Sequence, residues 1–368
     1  MRIFYLITKS EAGGAQTHVQ QMAARLISQG QQVAVMAFPG GWLEKEIKKL
    51  GASFYPNLFL GNSFNPWLGF RAMKIIKQAL VDFSPQLVSC HSSAAGFWGR
   101  MAVKNKIPTL FTAHGWGFAL GAPFLRRHLM IILEKIAAIF CSKIICVSNK
   151  DRDLALRYKI KRPEQIITIH NGVEIQEINL EQKLLQAPFQ IIFVGRLAPP
   201  KQQSLLIKAF SELPQDLQDK AEIILVGDGP QKTSLECLIR ERGLLNKVKL
   251  LGQQDRERVW QLLQQAHIFA FLSLWEGFPR SILEAMSCGL AIVASDVGAV
   301  KEALSQGAGL VIAKNSKLAL KQALIQLLKS PELIKKLGQT AKQRVTEYFS
   351  LEKMIRETEK VYQEMLRC

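Results

Sequence analysis

Residues 190–230 read QIIFVGRLAPPKQQSLLIKAFSELPQDLQDKAEIILVGDGP. Two apolar runs, QIIFV at 190–194 and EIILV at 222–226, each end in a glycine, and a helical stretch lies between them. A strand, a helix and a second apolar strand in that order form one unit of a parallel sheet covered by helices. The alternation continues in both directions. Strand candidates follow at 248–251, 268–272, 291–294 and 309–312, and an earlier series lies at 2–7, 33–37, 86–90, 109–112, 144–148 and 166–169. Two such series predict two doubly wound, Rossmann-like α/β domains. The pattern lapses in 171–189, NGVEIQEINLEQKLLQAPF, which marks the boundary. The expected division is 1–175, 176–345 and a terminal helix at 346–368, within an amphipathic helical segment at 332–366.

Composition agrees. At roughly 150 residues per domain, 368 residues make two domains. A chain that is 48% hydrophobic and 21% charged has apolar mass for two cores. The N-terminus, MRIFYLITKSEAGG, reads as a first strand rather than a secretion signal, because the run Ile3–Ile7 is too short and no cleavage-like site follows. The most apolar stretch, LMIILEKIAAIFCSKIICV at 129–147, is interrupted by Glu134, Lys135 and Lys143. It falls short of the ~20 clean residues of a transmembrane helix and predicts a buried helix followed by a strand. Of the six cysteines, Cys90, Cys141, Cys146, Cys237, Cys288 and Cys368, none stand in CxxC spacing. That usage fits reduced thiols in a cytosolic protein.

The net charge is +18 and is unevenly placed. Residues 1–170 hold 22 Lys and Arg against 8 Asp and Glu, whereas 171–368 hold 26 against 22. An excess confined to the first half suits a membrane surface, a phosphorylated acceptor or nucleic acid, and it also serves plain solubility. The sequence has no zinc-finger spacing, RNP-like motif or basic region leading into heptads, so nucleic acid is not expected.

Doubly wound sheets bind ligands at the C-terminal ends of strands, and the chemistry-bearing residues lie there. After the first strand, Gly13 and Gly14 precede a helix whose start offers free N–H groups to an anion, although a flexible turn reads equally from two glycines. The spacing is not GxGxxG, and no acidic residue ends the second strand, so a nicotinamide cofactor is not expected. Arg196 and Lys201 stand in the loop VGRLAPPK, where two cations can neutralise a diphosphate, although the loop alone reads as solvated surface charge. Gly227 and Gly229 form a tight turn in VGDGP. In SLWEGFPRSILEAMSCG at 273–289, Glu276 lies in a Gly/Pro-bounded loop beside Gly277 and Phe278, and Glu284 lies in the helix that follows Pro279. The N–H groups of that helix start, from Arg280 through Ser281 to Ile282, can face a phosphate, and both carboxylates can accept from sugar or ribose hydroxyls. His114, in FTAHGWGFA, follows a strand and reads as a functional or a core histidine. Asp151 and Asp153 spell the metal-like DxD, but they open a helix, where acidic residues are ordinary dipole complements.

Taken together, these segments resemble the large retaining glycosyltransferase family 4, or glycosyl transferases group 1. The resemblance spans nearly the whole chain through GGAxxHV at 13–19, HG at 114–115, HNGV at 170–173, VGRLxxxK at 194–201, VGDGP at 226–230, LG at 251–252, EGFPRSILEAMSCG at 276–289 and ASDVG at 294–298. It departs from the family at Ala291, where Pro is frequent, at Ala299, where Gly is common, and at Gln202, where Gly often follows the lysine.

The resemblance implies the GT-B fold, with an interdomain cleft and a C-terminal helix that crosses back to the first domain. It implies a nucleotide diphosphate sugar as co-substrate, UDP-linked by default, with no cofactor and no metal. Arg196 and Lys201 would hold the diphosphate, the backbone near Gly14 would touch its distal phosphate, and Glu284 would bind the ribose. Glu276, with the N–H groups of Gly277 and Phe278, would hold the sugar, and His114 would sit beside its reactive face.

Two alternatives remain at this stage. A nucleotide-sugar 2-epimerase of the same architecture lacks the complete Glu276–Glu284 segment, and a non-catalytic binding module would not need His114, Arg196, Lys201, Glu276 and Glu284 intact. The acceptor is expected to meet the basic first domain. In WGFALGAPFLRRHLMIILEK, apolar residues beside Arg126, Arg127 and His128 suit an anionic bilayer, and a core helix with a basic end reads as well. The expected partners are a nucleotide sugar, a glycan or lipid-linked acceptor, and the inner face of the cytoplasmic membrane. A soluble acceptor stays open.

Overall fold

A computed structural model describes residues 1–61, 64–119, 123–178 and 188–367. Part of the expected linker, 179–187, and Cys368 lie outside the described residues. The chain forms two compact units, Met1–Asn171 with Met354–Cys368, and Gly172–Lys353.

The first unit is built on a parallel sheet of β1 (Arg2–Lys9), β2 (Gln32–Phe38), β3 (Ser53–Pro56), β4 (Leu87–His91), β5 (Thr109–Ala113), β6 (Lys143–Cys146) and β7 (Ile166–Thr168), in the order β3-β2-β1-β4-β5-β6-β7. Its helices are α1 (Gly14–Ser28), α2 (Trp42–Lys49), α3 (Pro66–Phe83), α4 (Ser93–Val103), α5 (Phe124–Ala138) and α6 (Asn149–Arg157). The inner strands are buried on both faces, and so their sequences are apolar runs rather than alternating ones. Phe4, Leu6, Met36, Val88, Phe111 and Ile144 form the centre of the core. β3 was not foreseen. It is a four-residue edge strand that ends at Pro56 and has no fully buried residue, so it leaves no apolar run to read.

The second unit repeats the plan with β8 (Phe189–Val194), β9 (Ala221–Val226), β10 (Val248–Leu250), β11 (Ile268–Phe271), β12 (Ala291–Ser295) and β13 (Leu310–Ile312), in the order β10-β9-β8-β11-β12-β13. Around it lie α7 (Gln203–Phe210), α8 (Gln215–Gln218), α9 (Lys232–Glu241), α10 (Arg256–Gln265), α11 (Arg280–Ser287), α12 (Val300–Ala303), α13 (Lys317–Lys329) and α14 (Pro331–Tyr348). In both sheets all strands run parallel and the strand order reverses beside the first strand, between β1 and β4 and between β8 and β11. That reversal opens a crevice at the strand ends where ligands bind in such sheets.

The amphipathic segment at 332–366 is two helices, the second of which lies within the expected terminal helix at 346–368. α14 ends at Tyr348, and α15 (Leu351–Arg367) follows. Phe349 is buried against Phe278, and the chain at Ser350 pairs with Val173, interactions that a continuous helix would forbid. α15 then joins the first unit, where Tyr362 is fully buried.

The apolar stretch 129–147 is a helix followed by a strand, but the helix is buried on one face only. α5 turns Leu125, Leu129, Ile132 and Ile136 outward, with Ile139 just past its end, and Leu125 is 83% exposed. Its one acidic residue, Glu134, points inward and pairs at 2.6 Å with the fully buried Arg100 of α4. The guanidinium also donates to Gly96 O at 2.8 Å and stacks on Phe111. The helix therefore buries one ion-paired carboxylate among Met130, Ile131, Ala137 and Ala138, and carries an apolar row beside Arg126, His128 and Lys135 on its exposed side.

Candidate functional site

In the second unit the candidates gather where β8 and β11 end. The loop after β8 runs from Gly195 to Lys201 and lies against the loop after β9. Gly195 N–H donates to Val226 O, and Leu197 N–H to Asp228 O, both at 2.9 Å. This contact explains the two expected glycines. Gly227 and Gly229 have φ of +138° and +156°, and a Cβ at either would fall 2.1 Å from Gly195 O or 2.5 Å from Leu197 O. Arg196 is exposed beyond them.

Lys201 turns back under this loop and meets Glu276. Its Nζ lies 2.7 Å from Glu276 Oε1, which also accepts from Ser273 Oγ at 3.0 Å. A backbone bridge between Lys201 and Ser273 fixes the pair, and the ammonium sits 4.2 Å from the Phe271 ring centroid. Two residues 75 positions apart in sequence thus form one ion pair at the switch point. Both side chains are mostly covered, so the pair keeps more of its strength than a surface pair does.

Beneath the Glu276–Gly277 turn lies Gly298, the last residue of ASDVG. Gly298 has φ of +54°, and a Cβ there would lie 2.3 Å from Glu276 O. Ala299 N–H donates to Gly277 O at 3.0 Å. Phe278 is buried against Phe349, and Ile282 is fully buried. Only the main chain of these two residues is available to a ligand. Ser281 and Glu284 are half-buried on α11. Burial pushes the Glu284 carboxyl above the usual carboxylate range, with Arg280 opposing, and burial depresses the Arg280 guanidinium. A carboxylate held against its desolvation cost gains from hydroxyl donors.

In the first unit Gly13 and Gly14 are exposed, and α1 begins at Gly14 without a side-chain cap. His114 is half-buried just after β5, and its Nε2 lies 2.9 Å from Nδ1 of His91. The rings of His18 and His114 are 5.2 Å apart. The sequence reading missed His91, although the signal was present: β4 ends LVSCH as β5 runs into FTAH, placing a histidine at the ends of neighbouring strands. Of the acidic pair, Asp151 is committed to a helix cap. Its N–H donates to Ser148 Oγ at 3.0 Å, and Ser148 Oγ donates back to its carboxylate at 2.6 Å.

Residues 12–177 match the model of Glycosyltransferase Family 4, and residues 175–344 match that of Glycosyl transferases group 1. The chain is a group 1, family 4 glycosyltransferase. This glycosyltransferase is 27% identical over 310 residues to the O-antigen biosynthesis glycosyltransferase WbnH of Escherichia coli, covering 84% of this chain and 85% of that one. It is 27% identical over 365 residues to one component of the Homo sapiens phosphatidylinositol N-acetylglucosaminyltransferase, covering 95% of this chain and 73% of that one. Anabaena Alr3699/HepE, crystallised with UDP, has the same GT-B fold, with a TM-score of 0.82 at 21% identity over 99% of this chain and 100% of that one.

Four thiols of the glycosyltransferase are packing groups, and Cys237 is exposed. Cys90, Cys141, Cys146 and Cys288 are buried, and none forms a disulfide among the described residues. Burial pushes the Cys90 thiol up to about 12.

Proposed function

We propose that the enzyme takes a nucleotide diphosphate sugar, with UDP as the default base, and transfers the sugar with retention and without a metal to a lipid-linked or membrane-proximal acceptor in bacterial surface polysaccharide synthesis. The observation that carries the donor half is the Lys201–Glu276 pair beside Arg196 at the β8/β11 switch point. Arg196 and Lys201 supply the positive charge that a divalent ion supplies elsewhere. Glu276 and the Gly277 and Phe278 N–H groups take the sugar, and Glu284 takes the ribose. Gly227 and Gly229 shape the floor of the pocket, and the first turn of α11 at Ser281 and Ile282 faces phosphate. The first unit supplies the N–H groups near Gly13 and Gly14, and His114 acts on the sugar.

In the reaction the anomeric carbon–phosphate oxygen bond breaks, and the acceptor oxygen bonds on the same face. The acceptor proton goes to the departing phosphate. The protein's task is to stabilise charge growing on the diphosphate, as an oxyanion hole does.

The outward apolar row of α5 supports the acceptor half. Leu125, Leu129, Ile132 and Ile136 are flanked by Arg126, His128 and Lys135, a pattern suited to lying on an anionic bilayer. Among the described residues no helix is long and apolar enough to cross a membrane. The human and E. coli relatives, named for a phosphatidylinositol and for O-antigen, make a lipid-borne acceptor the first to try.

Thermal unfolding with UDP, GDP and ADP, each with EDTA and with magnesium, tests the donor site. Saturation at 100-fold above Kd adds about 2.7 kcal/mol. One nucleotide should stabilise equally in EDTA. Stabilisation only with magnesium refutes metal independence, and none with any nucleotide refutes the donor site. Failure to co-sediment with anionic vesicles at low salt refutes the membrane-proximal acceptor.

A further inference from the structure

Behind His114 a row of hydrogen-bonded side chains runs into the core of the first unit. His91 is fully buried at the end of β4. Its Nδ1 lies 2.9 Å from His114 Nε2, and its Nε2 lies 3.0 Å from Ser89 Oγ. The Tyr362 hydroxyl of α15 donates to Ser89 Oγ at 3.4 Å and lies 3.0 Å from the Tyr5 hydroxyl of β1. Ser89, Tyr362 and Tyr5 are fully buried as well. Five side chains from β1, β4, the end of β5 and α15 therefore share one connected path.

The path has a direction. Ser89 accepts from Tyr362, so its own proton is directed to its other partner, His91 Nε2. A neutral imidazole that accepts at Nε2 carries its proton on Nδ1. His91 therefore donates to His114, and a neutral His114 keeps its proton on Nδ1 and its lone pair on Nε2. The opposite direction would aim two donors at Ser89 Oγ and leave the serine proton in a dry site without either of these acceptors. Other features agree. Burial, reinforced by His114 and His18, holds the His91 imidazole far below the usual histidine range. Burial pushes both tyrosine hydroxyls up, so they remain donors.

We propose that Tyr362, Ser89 and His91 are positioning residues that lock His114 into the neutral tautomer with a lone pair on Nε2 and N–H on Nδ1. Resting on the reading that His114 acts on the donor sugar, this makes it a hydrogen-bond donor to a sugar oxygen rather than a general base. The acceptor proton is then left to the departing phosphate.

The test uses the full chain labelled with 15N-histidine. Long-range proton–nitrogen spectra report which nitrogen of each ring is protonated. The sequence has six histidines, and His91→Asn and His114→Ala assign the two that matter. Both rings should be protonated on Nδ1 alone. Ser89→Ala should mix or reverse the tautomers, and Ser89→Thr, which keeps the hydroxyl, should restore them. In parallel, UDP release from UDP-glucose, UDP-galactose and UDP-N-acetylglucosamine should show kcat falling about ten- to hundredfold in Ser89→Ala, with KM unchanged and Ser89→Thr near wild type. A wild-type His114 protonated on Nε2, or tautomers indifferent to Ser89→Ala in a folded variant, overturns the proposal. Full turnover in His114→Ala overturns its role at the sugar instead, and the spectra still decide the lock.

Discussion

Removing Glu134 alone should destabilise the first unit severely, whereas removing it together with Arg100 should not. The guanidinium of Arg100 has no solvent exposure, and Glu134 is 2% exposed. Their 2.6 Å contact is the only carboxylate contact of that guanidinium among the described residues, and Nη1 has no hydrogen-bond partner there. Glu134→Leu strands a positive charge whose remaining neighbours, Gly96 O, the Phe111 ring and the Cys141 thiol, carry no formal charge. Breaking one side of a buried ion pair costs about 3–5 kcal/mol. For a unit of this size each kcal/mol moves Tm by roughly 2–4 °C, so the transition of the first unit should fall by roughly 6–20 °C. The double variant Arg100→Met with Glu134→Leu exchanges the pair for hydrocarbon of similar volume, and such exchanges are neutral or stabilising. It should melt within a few degrees of wild type. Calorimetry on the single and double variants closes a mutant cycle with a coupling of several kcal/mol. A single variant that loses less than about 1 kcal/mol, or a double variant as unstable as the single, would show that the pair does not hold α5 to α4 as described.

Three further outcomes are expected. Lys201→Ala and Arg196→Ala should each lower kcat by about 30- to 1000-fold, the 2–4 kcal/mol worth of a lost oxyanion donor, measured as UDP release. Because burial raises the Glu284 carboxyl, the folded state holds that proton more tightly than the unfolded one, and stability is lost as pH rises from the unfolded carboxylate value through the folded one. Glu284→Gln should therefore raise the Tm of the nucleotide-free protein at pH 7, give no gain at pH values below that window, and lose the nucleotide-induced shift, all measurable in one thermal series. Leu129→Glu with Ile132→Glu should abolish co-sedimentation with phosphatidylglycerol vesicles while leaving Tm within about 1 °C, since surface changes stay within about 0.5 kcal/mol. A large drop in Tm would mean that this face is packed, not exposed.

The inner strands were legible because burial on both faces forces continuous apolar runs, which is why QIIFV and EIILV announced the second sheet. β3 escaped because a short edge strand carries no such run. The terminal helix was placed from 346, but the position of the break at Phe349–Ser350 was not legible because its causes, Phe278 and Val173, are remote in sequence. The same distinction governs the site. Glycines, cations and carboxylates at strand ends could be read in order along the chain. The pairing of Lys201 with Glu276, the support of Gly298 and the row behind His114 exist only through contacts that folding creates. α5 left two readings open for a related reason: an apolar stripe records which residues share a face, not which way that face turns.

The path of α15 also constrains how enzymes of this kind exchange parts. The first unit is discontinuous, made of Met1–Asn171 and the last residues from Met354, and Tyr362 of the tail completes the contact with Tyr5 of the head. A chimera spliced once near residue 171, to borrow another enzyme's first unit, would set its own tail into a foreign core. Transplanting that unit intact requires two crossovers, one at each passage of the chain, so recombination that respects only the linear order of domains would seldom leave a working hybrid.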